Sequence, residues 1–323
     1  MKECNGVSEN TRIDIPAGFQ GRDILTLLDY TGDELTQLLE FAEQLKKAPY
    51  QPDMLQGKSL GMIFENASTR TRVSFEVGMT QLGGHALFLS PRDMQIGRGE
   101  PIKDTGHVLS RFLDAIMIRT NSHEMVEELA SYAEVPVINA LTDLYHPCQA
   151  LADILTVKEQ KGSLEGLKVT FVGDGNNVAH SLMIICAKLG MDAALAVPKG
   201  YEPDENVWKE IEAVAEEKGT KVELTHSPKE AVKEADVIYT DVWASMGYEE
   251  EQGDREKAFE GFQVSEELCS HAKEDFIFLH CLPAHRGEEV TSEIIDGAHS
   301  FVYDQAENRL HAQKAMLAAV IGG

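Results

Sequence analysis

The chain has 323 residues, of which 43% are apolar and 26% charged, enough material for two domains with separate cores and the balance of a soluble globular enzyme. Acidic residues outnumber basic ones 54 to 29, a formal net charge of −25, which excludes a broad nucleic-acid-binding surface and makes any anion site a local exception. No apolar run approaches the roughly 18 residues of a membrane span, MKECNGVSEN at the start has no apolar segment of the signal-peptide kind, and five scattered cysteines without a CxxC offer neither a disulfide framework nor a zinc knuckle, so a cytoplasmic setting is expected.

Along the chain, apolar β-rich runs alternate with helical patterns. The runs are 59–65, 85–90, 114–120 and 136–140, then 167–174, 191–198, 221–226, 235–243, 276–283 and 300–304. Runs of Val, Ile, Leu and Phe separated by helix-length segments predict buried parallel strands with crossover helices, an α/β fold. ILTVKEQKGSLEGLK reads as a helix closing in a Gly-containing connection before a fresh strand. The domain junction is placed there, giving a first domain over 1–155 and a second over 156–305. The final stretch, NRLHAQKAMLAAVI, is helical by pattern and occupies about 306–323.

In open α/β sheets, ligands bind beyond the carboxyl ends of the strands. Six predicted strand exits carry polar residues: STRTR after SLGMIFE, Arg119 at the end of DAIMIRT, HPCQ shortly after PVINA, GDGNN after KVTFV, DVWASMG after ADVIYT and HCLP after FIFL. Together they outline one cleft between two domains.

Each set has a bland reading and a functional one. Ser68 and Thr69 alone are helix caps; with Arg70 beside free helix N–H groups, hydroxyls and a guanidinium fork suit a phosphate. Arg70 and Arg72 fall on nearly opposite sides of a helix, so Arg70 is assigned to the ligand and Arg72 to a structural ion pair. Pro147 suits the first helical position, with His146 as cap and Gln149 on the same face; the pair is either a cap with a surface amide or two donors to a carbonyl and its developing oxyanion. Arg119 ends an apolar strand, where a charge is costly unless paired. FVGDGNNVAH departs from the dinucleotide fingerprint, since Val178 stands where the third small residue belongs and no acidic residue closes the next strand; Asn177 is instead a candidate for a small polar substrate. Asp241 is either a solvated loop carboxylate or the partner of a substrate ammonium group. Cys281 is a buried structural thiol, a member of a metal triad with His280 and His285, or a nucleophile. The Leu282-Pro283 bond is a candidate for cis geometry, which would turn the Leu282 carbonyl into the cleft.

Taken in order, S-T-R-T-R (68–72), H-P-x-Q (146–149), D-x-W-x-S-M-G (241–247) and H-C-L-P (280–283) resemble the aspartate/ornithine carbamoyltransferase family. The first two motifs mark the whole family and the last two its ornithine branch, and the resemblance runs from about residue 22 onward. It implies two α/β domains, each a parallel sheet flanked by helices, with the C-terminal helix packing back on the first. It implies a homotrimer, open to further assembly of trimers, with sites at subunit interfaces. The implied reaction is transfer of the carbamoyl group of carbamoyl phosphate to L-ornithine, giving L-citrulline and phosphate, with no metal, no cofactor and no covalent intermediate; putrescine and N-acetylornithine are the alternative acceptors. By the same resemblance Ser68, Thr69, Arg70 and Thr71 hold the phosphate, and Arg119 and His146 with Gln149 hold the carbamoyl end beside Pro147 and Cys148. Gln95, in RDMQIGRGE, is lent by the neighbouring subunit. Asn177, Asp241, Ser245 and Met246 bind ornithine, and Cys281, Leu282 and Arg309 complete the site. Arg119 and His146 stabilise the oxyanion; Asp241, Cys281 or the leaving phosphate handles the amine proton. One departure stands out: Asn66 occupies the position of a lysine found in many ornithine enzymes, which removes one positive charge near the phosphate.

Overall fold

The computed structural model describes residues 13–244 and 252–322. Nine strands are described: β1 (Ser59–Phe64), β2 (His85–Leu89), β3 (Ala115–Arg119), β4 (Val137–Leu141), β5 (Lys168–Val172), β6 (Asp192–Ala196), β7 (Val222–Thr225), β8 (Val237–Thr240) and β9 (Ile277–His280). They form two all-parallel sheets, ordered β2-β1-β3-β4 and β7-β6-β5-β8-β9. The helices are α1 (Gly32–Lys47), α2 (Thr69–Gln81), α3 (Ile102–Leu109), α4 (His123–Tyr132), α5 (Pro147–Lys161), α6 (Asn177–Lys188), α7 (Glu205–Lys218), α8 (Pro228–Ala231), α9 (Gln252–Ala258), α10 (Glu266–Cys269), α11 (Ser292–Ile295) and α12 (Val302–Ile321).

The strand runs expected from the sequence are all present except the last, and their ends shift by at most three residues. The expected strand over 300–304 is not formed. Ser300 makes a single parallel bridge to Phe278, and the backbone then turns into α12 at Val302. One bridge satisfies only Phe278; beyond it Val302, Gln305 and Arg309 recur at helical spacing and are buried, so the 3.6-residue period wins over the β-rich composition of SFVYD. The second sheet therefore has five strands rather than six.

Cap residues end the strands and start the helices. After β1, β3, β5, β6 and β7 the helix begins with Ser68, Ser122, Asn176, Asp204 and Ser227, each accepting a hydrogen bond from a backbone N–H of the first turn. α5 starts with Pro147 at its first position and ends at Gly162, whose φ of +79° a side chain would oppose.

α12 packs on α1, α2 and α5 and also reaches β9, so the last helix returns to the helices of the first unit, as the family resemblance implies. Nearly every residue from Asn308 to Ile321 is buried. Lys314 is among them. Its ammonium donates to the Leu45 and Pro49 carbonyls at 3.2 and 3.0 Å and to Gln81 Oε1 at 2.9 Å, which caps the C-terminal ends of α1 and α2 with one cation. Burial lowers its pKa to about 8. Lys314→Met, similar in length, strands three buried acceptors, and the expected loss is about 2–4 kcal/mol of unfolding free energy by chemical denaturation; an unchanged midpoint would show that these bonds do not hold α12.

Candidate active site

Each sheet has one place where the chain reverses its direction of winding, between β1 and β3 in the first and between β5 and β8 in the second. Such switch points open a crevice beyond the strand ends. Both open into the same cleft of about 1270 Å³. Its walls carry Ser68, Thr69, Arg70, Thr71, Arg119, His146, Gln149, Asn177, Asp241, Cys281, Leu282 and Arg309; twelve residues singled out from separate strand exits and α12 are thereby brought together.

The wall built on the first sheet is cationic. Ser68 caps α2 through the Thr71 N–H (3.2 Å), leaving the other N–H groups of that first turn toward the cleft. Arg70 reaches across and donates to the Leu282 carbonyl at 2.5 Å, beside a cis Leu282-Pro283 bond. Arg72 points away: its Nε donates to Glu76 at 2.9 Å and its guanidinium covers the Phe88 ring at 3.9 Å, the division of labour expected from helix geometry. Arg309 comes in from α12, donating to Gln149 Oε1 at 2.5 Å and Thr71 Oγ1 at 3.3 Å. Burial and the neighbouring charges of Arg309 and Arg70 bring Arg119 down to about 10, still cationic at neutral pH. The same three arginines, after burial, hold His146 well below its ordinary pKa; its Nδ1 is buried without a hydrogen-bond partner among the described residues. A neutral imidazole at the start of α5 is a donor to a carbonyl oxygen, not a cation competing for the anion.

The opposite wall is anionic. Asp241, at the exit of β8, accepts from Asn176 Nδ2 (3.1 Å), Cys281 Sγ (2.9 Å) and the Val242 N–H (2.8 Å). Asp174, Glu202 and Asp204 share this wall. Asp174 pairs with Arg255 Nη1 at 2.6 Å, and the same guanidinium nitrogen donates to the Trp243 carbonyl. Burial first, then Asp241, pushes the Cys281 thiol well up, so it is a donor to the carboxylate rather than a thiolate nucleophile. The triad of His280, Cys281 and His285 is not assembled: His280 Nε2 meets Glu289, its Nδ1 accepts from the Leu282 N–H, and His285 lies exposed beside Glu288.

Other residues take different positions from those expected. Asn177 donates to the Thr142 carbonyl, tying α6 to the loop after β4, so only its remaining polar atoms face the cleft. Cys148 turns into the core with Sγ on the Asn139 carbonyl, and burial pushes it up to about 12; neither it nor Pro147 is on the cleft wall. Gln95 is exposed at the start of a 3₁₀ turn and is not on this cleft's wall. Ser245 and Met246 lie outside the described residues. Asn66 donates to Asn121. Sequence reasoning passed over Asn176, whose cap position in GDGNN was readable, and Arg255, whose partner is 81 residues distant. Gly175 is required by packing: a Cβ there would fall 2.4 Å from Pro203 N.

The carbamoyl-P binding domain of the aspartate/ornithine carbamoyltransferases matches residues 22–159, and the Asp/Orn binding domain of the same family matches residues 165–320. An ornithine carbamoyltransferase of Halalkalibacterium halodurans is 65% identical, covering 94% of this chain and 96% of its own. An anabolic ornithine carbamoyltransferase of Pyrococcus furiosus is 60% identical over 94% and 97%. The solved structure of the ornithine carbamoyltransferase from Pyrococcus furiosus superposes with a TM-score of 0.92 at 58% identity, over 95% of this chain and 99% of that one. An anabolic ornithine carbamoyltransferase from Campylobacter jejuni does so at 0.87 and 44% identity, over 92% and 97%.

Asn176 has two separable tasks, capping α6 through the Val178 and Ala179 N–H groups and holding Asp241. Asn176→Ala is expected to cost about 1 kcal/mol of stability. Asn176→Asp keeps the cap but sets a second carboxylate against buried Asp241, so the thermal unfolding midpoint at neutral pH should fall further than in Asn176→Ala.

Proposed function

The chain belongs to the aspartate/ornithine carbamoyltransferase family, and from that premise we propose that it transfers the carbamoyl group of carbamoyl phosphate to the δ-amine of L-ornithine, giving L-citrulline and phosphate. The observation that carries this reading is the two-signed cleft. Three arginines and the N-termini of α2, α5 and α6 meet in a chain of net charge −25. Each helix N-terminus adds roughly half a unit of positive charge, which together outweighs the charge of about −2 on a phosphate group. The facing wall, with Asp241, Glu202 and Asp204, suits a cationic amino acid and opposes aspartate, which needs a basic pocket.

Ser68, Thr69, Arg70 and Thr71 hold the phosphate, with Gln149 and Arg309 behind them. Arg119 and neutral His146 donate to the carbamoyl oxygen and stabilise the oxyanion as the amine attacks. The tetrahedral intermediate collapses when the C–O bond to phosphate breaks; Arg70 and the N-terminus of α2 take up the charge on the leaving group. Asp241 orients the ornithine amine, assisted by the Cys281 thiol, and the departing phosphate takes the amine proton. Catalysis on this account is positioning and electrostatics. Ser245 and Met246 bind the α-amino acid end by family resemblance, which favours ornithine over putrescine; N-acetylornithine would bring no α-ammonium.

We further propose a homotrimer in which Gln95 reaches a neighbour's cleft. Its support is an exposed apolar surface on α2, the edge strand β2 and the end of α3, including Val73, Val77, Phe88 and Phe112, the last 74% exposed. The four described cysteines are free thiols, consistent with the cytoplasmic setting and the role in arginine metabolism that we propose.

Citrulline should be measured directly with ornithine, putrescine, N-acetylornithine and aspartate side by side. Ornithine alone is expected to serve well, and Arg70→Ala should cost about 10²–10³-fold in kcat; efficient transfer to another acceptor, or a fully active Arg70→Ala enzyme, would overturn the reading. Light scattering should give three times the 35.7 kDa chain mass, and Phe88→Asp should give inactive monomers; an active monomer refutes the trimeric site.

A further inference from the structure

Asp153 lies one turn beyond Gln149 on α5, is fully buried and is absent from the cleft wall. Its Oδ1 accepts from two side-chain amides, Gln149 Nε2 at 2.8 Å and Gln305 Nε2 at 2.6 Å. A carboxylate can only accept hydrogen bonds, so both amides must present their NH₂ groups to it and turn their oxygens outward. The Gln149 oxygen then receives Arg309, and the Gln305 oxygen receives the His280 N–H at 2.9 Å. The Gln305 amide also reaches Tyr239 Oη at 3.1 Å. His280 immediately precedes Cys281, and Tyr239 stands two residues before Asp241. One hidden carboxylate thus touches, through two amides, the guanidinium of the cationic wall and both strands that end at the anionic wall.

We propose that Asp153 is a positioning residue that fixes the orientation of Gln149 and Gln305 and so keeps the two walls of the cleft in register. The proposal rests on the carbamoyl-transfer reading above. Ionised, Asp153 dictates both amide orientations and offsets the charge of Arg309. Asp153 Oδ2 is buried without a hydrogen-bond partner among the described residues, so a proton added there leaves Oδ1 a neutral carbonyl, which holds both amides more weakly and no longer offsets the charge of Arg309. Catalysis should therefore fall when this carboxyl takes up a proton.

The surroundings single out Asp153 as the group that changes charge. Burial raises it to about 6, against the pull of Gln149, Gln305, Arg309 and Tyr239. The titratable groups facing it are Arg309 from α12, Tyr239 from β8, Cys186 from α6 and Cys281 just after β9. Burial raises Tyr239 and both cysteines, so they stay neutral near pH 6, and Arg309 stays cationic. His146 is held well below its ordinary value and does not titrate in that window. Because the Asp153 carboxyl is raised, the active form is present above about pH 6 and is lost as pH falls through that value.

The test is kcat for citrulline formation with saturating substrates from pH 5 to 9, using the full chain as wild type, Tyr239→Phe and Asp153→Asn. Wild type should lose activity on the acid side near pH 6. Tyr239→Phe removes the hydroxyl that accepts from Gln305 Nε2 and holds the Asp153 carboxyl down, and should move that limb upward by about half a unit or more. Asp153→Asn should have no such limb and a kcat lower by about tenfold or more; a purely structural role would lower kcat and leave the limb in place. A limb retained in Asp153→Asn, or unmoved in Tyr239→Phe, overturns the proposal, and the second variant decides should the first not fold. A wild-type protein that forms no citrulline at any pH would refute the functional reading itself, an outcome distinct from either.

Discussion

Holding three guanidinium groups against one another is the constraint that the rest of the cleft answers to. Two unit charges about 6 Å apart at an effective permittivity near 20 repel by roughly 3 kcal/mol, and this repulsion adds to burial, the larger cause, in lowering the pKa values of Arg119 and Arg309. The fold meets that repulsion with oriented acceptors: the Leu282 carbonyl for Arg70, and Gln149 Oε1 and Thr71 Oγ1 for Arg309. These acceptors come from the turn after β9, from α5 and from α2, so the arginines can be held only when both sheets and α12 are in place. The residual positive potential is what an anionic substrate neutralises, and it is paid for by the fold before the substrate arrives, the condition for electrostatic preorganisation.

The two walls also explain the state of each ionisable group. His146, buried and facing three cations, stays neutral; Cys281, buried and facing Asp241, stays protonated. Neither could exchange roles with the other without moving to the opposite wall. The chemistry that remains is hydrogen-bond donation to developing negative charge on one side and capture of an amine on the other, which makes a covalent route through Cys281 poorly suited to this environment.

Much of this was legible before any coordinate. Polar sets at strand exits mapped to a common cleft because parallel sheets place those exits on one side, and Ser68 and Pro147 marked where α2 and α5 begin. The separation of Arg70 from Arg72 needed only the helical period. What escaped was long-range. Arg255 meets Asp174 across 81 residues, and no local pattern announces such a pair. Asn177 stands on the cleft wall, but its bond to a carbonyl of the first unit, and the hold of its neighbour Asn176 on Asp241, both cross long stretches of chain. SFVYD has strand composition, yet burial periodicity over the following residues decides for helix.

The return of α12 to the first unit has a consequence for how the molecule is made. A ribosome adds about 5–20 residues per second, so α5 is complete roughly 7–28 s before Val302 is joined. During that interval the apolar faces of α1, α2 and α5 await their cover, and the cavity for Lys314 stands open to water. The first unit is therefore a poor candidate for finishing its folding during synthesis. It is instead a surface that chaperones have time to engage, and the final helix closes the core and delivers Arg309 in the same event.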